Sequence, residues 1–412
     1  MTLPLRFLQS LQKRGDVVRL GRAYYVGGAE ALRELLVERH ADYDKGVQFD
    51  RAKIVIGNSL PCSAGSFHRN QRKAILPAFA QARLREYFDI MLACADRDVS
   101  SWTARTDTYT EVRKTVALIA CRTLFDTSES AAIELVEMVE ALDNGVVLRI
   151  LDPTGLLGKL PLRANRAFDH AVARTHELVS GFIEQYQQSP PARADLLSTL
   201  LSATDMPAAQ LRDEAVAMAQ AGIETTAQAL RWVFLLLAEH PSVQRRVQRE
   251  IDGVLGDREL TFDDLPRLDL LSRVIRETLR LYPPLYVVTR RALVDTSIAG
   301  HRIPAGRTVI FSPYAAQRDP ARYPEPGRFD PDRAFDPVPV EFFPFGAGIR
   351  SCAGERFAQI EMLTVMVAVL RKWTLVREPG VVVKPKLSFV LKPNAGGTRL
   401  VVREWARSAP AN

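Results

Sequence analysis

From Asp16 to Val26 polar and apolar residues alternate around Gly21, the period-two pattern of a β-hairpin. The period then changes. Over roughly the next 250 residues apolar positions recur at helical spacing. They predict helices at Ala29–Arg39, Ala80–Ser101, Tyr109–Leu124, Ala131–Leu142 and Arg163–Gln188, separated by short breaks. The segment Pro207–Glu239 is the longest. Asp205 is placed to cap it, Pro207 lies in its first turn, and no further proline occurs before Pro241. At 1.5 Å per residue it would run about 50 Å, enough to cross a whole domain. Its middle, A-V-A-M-A-Q-A-G-I, is apolar on most sides and is expected to be buried.

After Pro241 the pattern gives one amphipathic helix to Leu255 and another around Leu270–Leu281, then strand-like pieces at Thr296–Ile303 and Arg307–Phe311. Pro313 to Pro344 is rich in Pro, Arg and Asp and has little periodicity. So long an irregular stretch belongs in a compact fold only if it serves a function or is pinned in place. A last helix, Ala353–Trp373, precedes a strand pair turning at Pro393–Gly397. There is no internal repeat or linker, so residues 1–412 read as one mainly α domain with a smaller β-rich region.

Composition narrows the function classes. The surplus of 55 basic over 48 acidic residues is mild and dispersed, which argues against nucleic acid and fits a basic face for an acidic protein partner. Cys62, Cys94, Cys121 and Cys352 lie far apart, a poor disulfide framework and a poor zinc site, as expected of a reduced, cytoplasmic protein. The N-terminal M-T-L-P-L-R-F-L-Q-S-L-Q-K-R is too short and interrupted for a membrane span or a signal segment, so a soluble protein without a membrane anchor is expected.

The strongest chemical signal is F-G-A-G-I-R-S-C-A-G, Phe345 to Gly354. A cysteine in a glycine-rich loop is most often just a buried thiol. The G-A-G pair also imitates half of a dinucleotide fingerprint, although the third glycine and the βαβ unit are missing. The segment nevertheless has what a metal-ligating thiolate needs, namely deprotonation, shielding and rigidity. Gly346 and Gly348 permit sharp turns that bring amides toward the sulfur. Cys352 lies at the start of the final helix, whose dipole favours negative charge. That helix carries an apolar stripe of Phe357, Ile360, Leu363, Val367 and Leu370. Arg350 is placed to pair with a carboxylate. The decapeptide resembles the haem-binding signature of cytochromes P450, matching at Phe345, Gly346, Gly348, Arg350, Cys352 and Gly354. The resemblance implies the cytochrome P450 fold. Haem b (iron protoporphyrin IX) would lie between the long central helix and the cysteine-loop helix, with Cys352 as its axial thiolate.

Other segments support the resemblance in the family's order. Glu277 and Arg280 in E-T-L-R share a helix face. Alone they would read as a solvated surface pair. In cytochromes P450 such a pair is buried and joined by a later arginine, here Arg333 in F-D-P-D-R, which implies a structural ion-pair triad. The sequence A-G-I-E-T-T, Ala221 to Thr226, resembles the family's oxygen-activation motif. Gly222 leaves room beside the backbone, the Thr225 hydroxyl can bond back to the preceding turn, and Glu224 with Thr225 forms an acid–alcohol pair suited to relaying protons. In H-R-N-Q-R-K, His68 and Arg72 match propionate-binding positions, as does Arg290, with Arg291 beside it as the alternative register.

The implied activity is that of a soluble bacterial-type monooxygenase, placing one atom of O2 in an organic substrate and releasing the other as water. The chain leaves no room for a fused reductase, so electrons from NAD(P)H are expected through a separate ferredoxin and ferredoxin reductase. Arg69, Lys73, Arg350 and Arg356 are candidate docking residues, and the protein is expected to be a monomer. Alternatives are a peroxygenase, which would typically lack the acid–alcohol pair, a haem-based sensor, and oxidative cyclisation, desaturation or coupling within the same fold. Ala217, Ala221, Val287, Val288, Phe389 and Val390 are the expected substrate-pocket positions. Being almost all apolar, they suggest a mid-sized hydrophobic molecule such as a terpenoid or polyketide intermediate of secondary metabolism. The segment between Asp143 and Arg163 is expected to be part of a mobile lid.

Overall fold

The computed structural model describes residues 3–152, 155–189, 195–203, 206–334, 342–377, 379–394 and 400–404. Its axis is the central helix Ala208–Glu239, which packs against helices Thr108–Leu124, Arg163–Gln188, Asp269–Leu281 and Glu355–Lys372. Leu230 to Ala238 are buried without interruption, so this half of the helix has no solvent face. Pro207 is the residue preceding the first turn rather than part of it, and Asp205 lies outside the described residues.

The expected hairpin forms as β1 (Val17–Leu20) and β2 (Ala23–Val26), with Gly21 supplying the positive φ of 60° that the turn requires. Strands β3 (Tyr43–Asp44), β4 (Val288–Ala292) and β7 (Thr308–Phe311) complete a five-stranded sheet in the order β1-β2-β7-β4-β3. The Thr296–Ile303 piece is itself a hairpin, β5 (Thr296–Ile298) and β6 (His301–Ile303). The pattern did not reveal β4, because its two arginines interrupt a short apolar run. The fold depends on it, since alternation along β4 buries Val288, Arg290 and Ala292 on one face and turns Arg291 to the other.

Three expectations need correction. The helix expected at Ala131–Leu142 spans Glu129–Ile150. Asp143-Asn144-Gly145 has the composition of a turn, but tertiary packing overrides it. A Cβ at Gly145 would lie 1.9 Å from the Phe168 ring, so glycine is there to admit a neighbouring helix. The segment expected to form part of the lid is thus helical from Asp143 to Ile150, and regular helix gives way only at Leu151. At the C-terminus, the segments flanking Pro393–Gly397 do not pair with each other. Strand β9 (Pro385–Leu387) pairs with β10 (Leu391–Pro393), and β8 (Trp373–Arg377) with β11 (Leu400–Glu404). Residues 395–397 of that turn lie outside the described residues. Finally, Ala29–Arg39 is not one regular helix, since a turn of wider pitch follows Arg33, from Glu34 to Glu38.

The Pro-rich stretch is tied down by the ion-pair triad. Glu277 and Arg280 have fully buried side chains and pair through two contacts, Nε to Oε2 at 2.7 Å and Nη2 to Oε1 at 2.8 Å. The remaining guanidinium donors reach the carbonyls of Gln317, Pro326 and Arg328. Glu277 also accepts from the Asp330 amide at 3.0 Å and faces Arg333 Nε at 3.5 Å. Three carbonyls and one amide of an irregular segment thus end on one buried charge pair, which is what lets it be ordered without regular structure.

Candidate active site

A cavity of about 2100 Å³, its mouth included, lies between the middle of the central helix and the cysteine loop. Ala221, Gly222 and Thr225 interrupt the buried pattern of that helix because they face this space. From the opposite side Cys352 projects into it, and the exposure of the residue is exposure to the cavity. The loop is held by amide–carbonyl bonds from Gly346 N to Phe343 O and from Cys352 N to Phe345 O, at 2.9 and 2.8 Å. At Gly348, φ is 65° and a Cβ would sit 2.3 Å from Leu36 O. Only glycine lets the loop pack against the wide turn at Glu34–Glu38. Burial raises the Cys352 thiol above its usual pKa, while the Gly354 amide and the charges of Arg72 and Lys45 act the other way. A bound cation would add to that second group and favour the thiolate.

Around the same cavity converge His68, Arg72, Arg290 and Arg350, together with Lys45, which the sequence had not singled out. Arg72 donates to Ser351 O at 2.7 Å and to Ser351 Oγ at 3.2 Å, which ties its helix to the residue before the cysteine. Arg350 donates to Ser63 O at 2.7 Å and Arg290 to Thr289 O at 2.9 Å. His68 is buried and its Nδ1 has no partner. Among the described residues none of these five makes an ion pair, whereas Arg291, on the other face of β4, pairs with Asp44 and Asp50. Burial together with the charge of Arg350 pushes Arg290 down to about 9. Burial, then Arg350 and Lys45, push His68 down to about 4. A cluster of Lys45, Arg72, Arg290 and Arg350 without ion-pair partners, beside a neutral His68 with an unpartnered Nδ1, calls for an anion. A lone thiol on one wall, apolar faces such as Phe345, Phe357 and Ala358, and a basic rim suited to two carboxylates fit a haem with its propionates. In that fit Arg350 points inward and is not available to a docking face. Arg69, Lys73 and Arg356 are exposed.

Across the cavity the Thr225 hydroxyl donates to Ala221 O at 2.7 Å. Glu224 is buried, accepts from Gln228 Nε2 at 2.9 Å and lies 3.8 Å from Arg113, while its Oε2 has no hydrogen-bond partner. Burial raises its pKa against the opposing charge of Arg113. Gln228 also donates to Tyr109 Oη at 3.3 Å, and the Arg231 guanidinium lies 3.2 Å from the Tyr109 ring centre. A polar path thus leads from the cavity through Glu224 and Gln228 to the half-buried Tyr109.

Of the expected pocket positions, Ala217, Ala221, Val288, Phe389 and Val390 line the cavity. Val287 does not. It precedes β4 by one residue, and the alternation that turns Val288 inward sends Val287 into a separate cluster around Leu5, Tyr25 and Leu391. Besides Lys45, the polar lining residues Asp143 and Gln220 were not among the expected site positions.

The family model for cytochrome P450 matches residues 5–399. Cyclooctatin synthase of Streptomyces melanosporofaciens is 36% identical, covering 97% of this chain and 91% of the relative. Cyclooctat-9-en-7-ol 5-monooxygenase of the same organism is 37% identical over 92% of this chain and 86% of the relative. Pentalenene oxygenase of Streptomyces avermitilis is 34% identical, with 98% and 94% covered. Among solved structures, a retinoic acid-bound cyanobacterial cytochrome P450 superposes with a TM-score of 0.86 at 25% identity, over 97% of this chain and 96% of that one.

Proposed function

This chain belongs to the cytochrome P450 family and is a monooxygenase, and from that premise we propose that its substrate is a mid-sized polycyclic terpenoid. The observation that carries the proposal is the cavity wall. Phe49, Val55, Leu60, Val146, Leu285 and Phe389 give the cavity a largely apolar wall, a surface for a hydrocarbon skeleton rather than for a sugar or a peptide. Cyclooctat-9-en-7-ol and pentalenene, named in two of the relatives, are polycyclic terpenoids.

When bound, the haem with its cysteine thiolate supplies reductive activation of O2 and transfer of one oxygen atom. The chain's own residues hold, position and feed that chemistry. Cys352 would be the ligand, Lys45, Arg72, Arg290 and Arg350 would neutralise the propionates, and His68 would hydrogen-bond them. Burial raises the pKa of the Glu224 carboxyl, which suits it to take up and release a proton, and Thr225 passes that proton into the cavity. Gln228, donating to both Glu224 and Tyr109, holds the carboxyl in place beside the cavity. Electrons come from a separate ferredoxin and its NAD(P)H-dependent reductase, with Arg69, Lys73 and Arg356 as the docking residues. Among the described residues no helix is long and apolar enough to cross a membrane.

The test is turnover with a surrogate ferredoxin and reductase against panels of cyclic sesquiterpenoids, cyclic diterpenoids, fatty acids and macrolides. The expected result is a high-spin shift of the Soret band and oxygenated products with cyclic terpenoids. Shifts and products confined to fatty acids or macrolides would overturn the substrate assignment and leave the family untouched.

A further inference from the structure

Asp143 has no part in the proton path just described, yet it faces the same cavity. It lies on helix Glu129–Ile150, is 2% exposed, and its Oδ2 has no hydrogen-bond partner. The groups around it come from three elements. Gln220 and Glu224 belong to the central helix, Lys392 to β10, and Arg113 to the helix Thr108–Leu124. Among the described residues neither Lys392 nor Arg113 makes an ion pair with it, and Arg113 is turned to Glu224. Burial, and then the charge of Glu224, push the Asp143 carboxyl up to about 8, against the smaller opposing effects of Lys392, the Gln220 amide and Arg113. At neutral pH it is therefore mainly a neutral acid, able to donate one hydrogen bond and to accept others.

A carboxyl in this position is costly unless something pairs with it. Its neighbour on the cavity wall one helical turn on is Val146, and across from it stand Ala217 and Ala221. A leucine would suit such a wall better for a pure hydrocarbon. We propose that Asp143 is a substrate-binding residue that takes up a hydroxyl group on the terpenoid, so that the site selects a skeleton already oxygenated over its parent hydrocarbon. The inference rests on the terpenoid reading above and deepens it. It also fixes a place in a reaction sequence. A step that installs oxygen, either a hydroxylation or a cyclisation quenched by water, must come before this one.

The experiment uses the haem-loaded protein and matched pairs of a cyclic terpene alcohol and its hydrocarbon, cedrol with cedrene and further pairs of diterpene size. Binding is followed by the Soret shift. Wild type should bind the alcohols at least about tenfold more tightly than the hydrocarbons, the effect of leaving one buried hydrogen bond unmade. In Asp143→Leu that preference should vanish, with hydrocarbon binding kept or improved. The thermal midpoint should change little, because the substitution loses the hydrogen bond to Gln220 but removes a buried carboxyl whose Oδ2 has no partner. Asp143→Asn, which still donates and accepts, should keep the preference for alcohols. Equal binding of alcohol and hydrocarbon by wild type would overturn the inference while leaving the terpenoid reading in place. An alcohol preference retained in Asp143→Leu, with product formation lost in both variants, would overturn it in favour of a proton-transfer role beside Glu224. Failure of every terpenoid to bind either wild type or Asp143→Leu would remove the terpenoid reading itself.

Discussion

Glu277→Ala is expected to cost about 3–5 kcal/mol, because it strands the fully buried Arg280 guanidinium without its counter-charge. Against a total stability of about 5–15 kcal/mol, that is a large fraction. The loss extends beyond the pair. The Asp330 amide loses its acceptor and Arg333 its carboxylate, so the irregular segment between Gln317 and Arg333 is released from the helix it crosses. For a chain of this length the thermal midpoint should fall by about 5 °C. Because the released segment leads into the cysteine loop, the fraction of protein with intact thiolate ligation should fall too. Arg333→Ala should cost less, about 1–3 kcal/mol, since its contact with Glu277 is longer, at 3.5 Å, and Arg280 keeps its own partner. A Glu277→Ala midpoint equal to that of wild type would show that the pair does not pin the segment.

Replacing the acid–alcohol pair should leave folding intact and strike turnover. Among the described residues the Thr225 side chain bonds only within its own helix, to Ala221 O, so Thr225→Ala removes one local hydrogen bond and clears the cavity wall. Electrons still arrive, but proton delivery is impaired. Cofactor oxidation should continue while product falls about 100-fold or more, the scale of a lost positioned proton donor, and the consumed O2 should appear as hydrogen peroxide. Glu224→Gln keeps the contact to Gln228 and removes the proton store, so it should slow cofactor oxidation as well as product formation. The substrate-induced Soret shift should persist in both variants. Unchanged product formation with no extra peroxide in Thr225→Ala would remove the proton-relay role from this pair.

The parts of the site legible in the sequence were those whose meaning is local. The turn at Gly346–Gly348, the cysteine before its helix and the Glu–Arg spacing of three residues each encode their geometry within one short segment. The residues that went unseen depend on contacts distant in sequence. Lys45 reaches the cavity only because β3 pairs with β4, which brings residues near 44 beside those near 291. Asp143 reads as the start of a turn until Phe168 is seen filling the space above Gly145. Val287 and Val288 are equivalent as letters, and only the β4 register separates them. The same register resolves Arg290 from Arg291, giving the cavity the arginine that lacks a carboxylate partner.

The most direct test of the whole account is the Soret spectrum of the dithionite-reduced protein under carbon monoxide, compared between wild type and Cys352→Ala. Wild type should show the long-wavelength band that thiolate ligation produces. Cys352→Ala should lose that band even when haem is retained through the basic residues at the propionate rim. A wild-type spectrum without the band, or a Cys352→Ala spectrum that keeps it, would contradict the assignment of Cys352 as the proximal ligand.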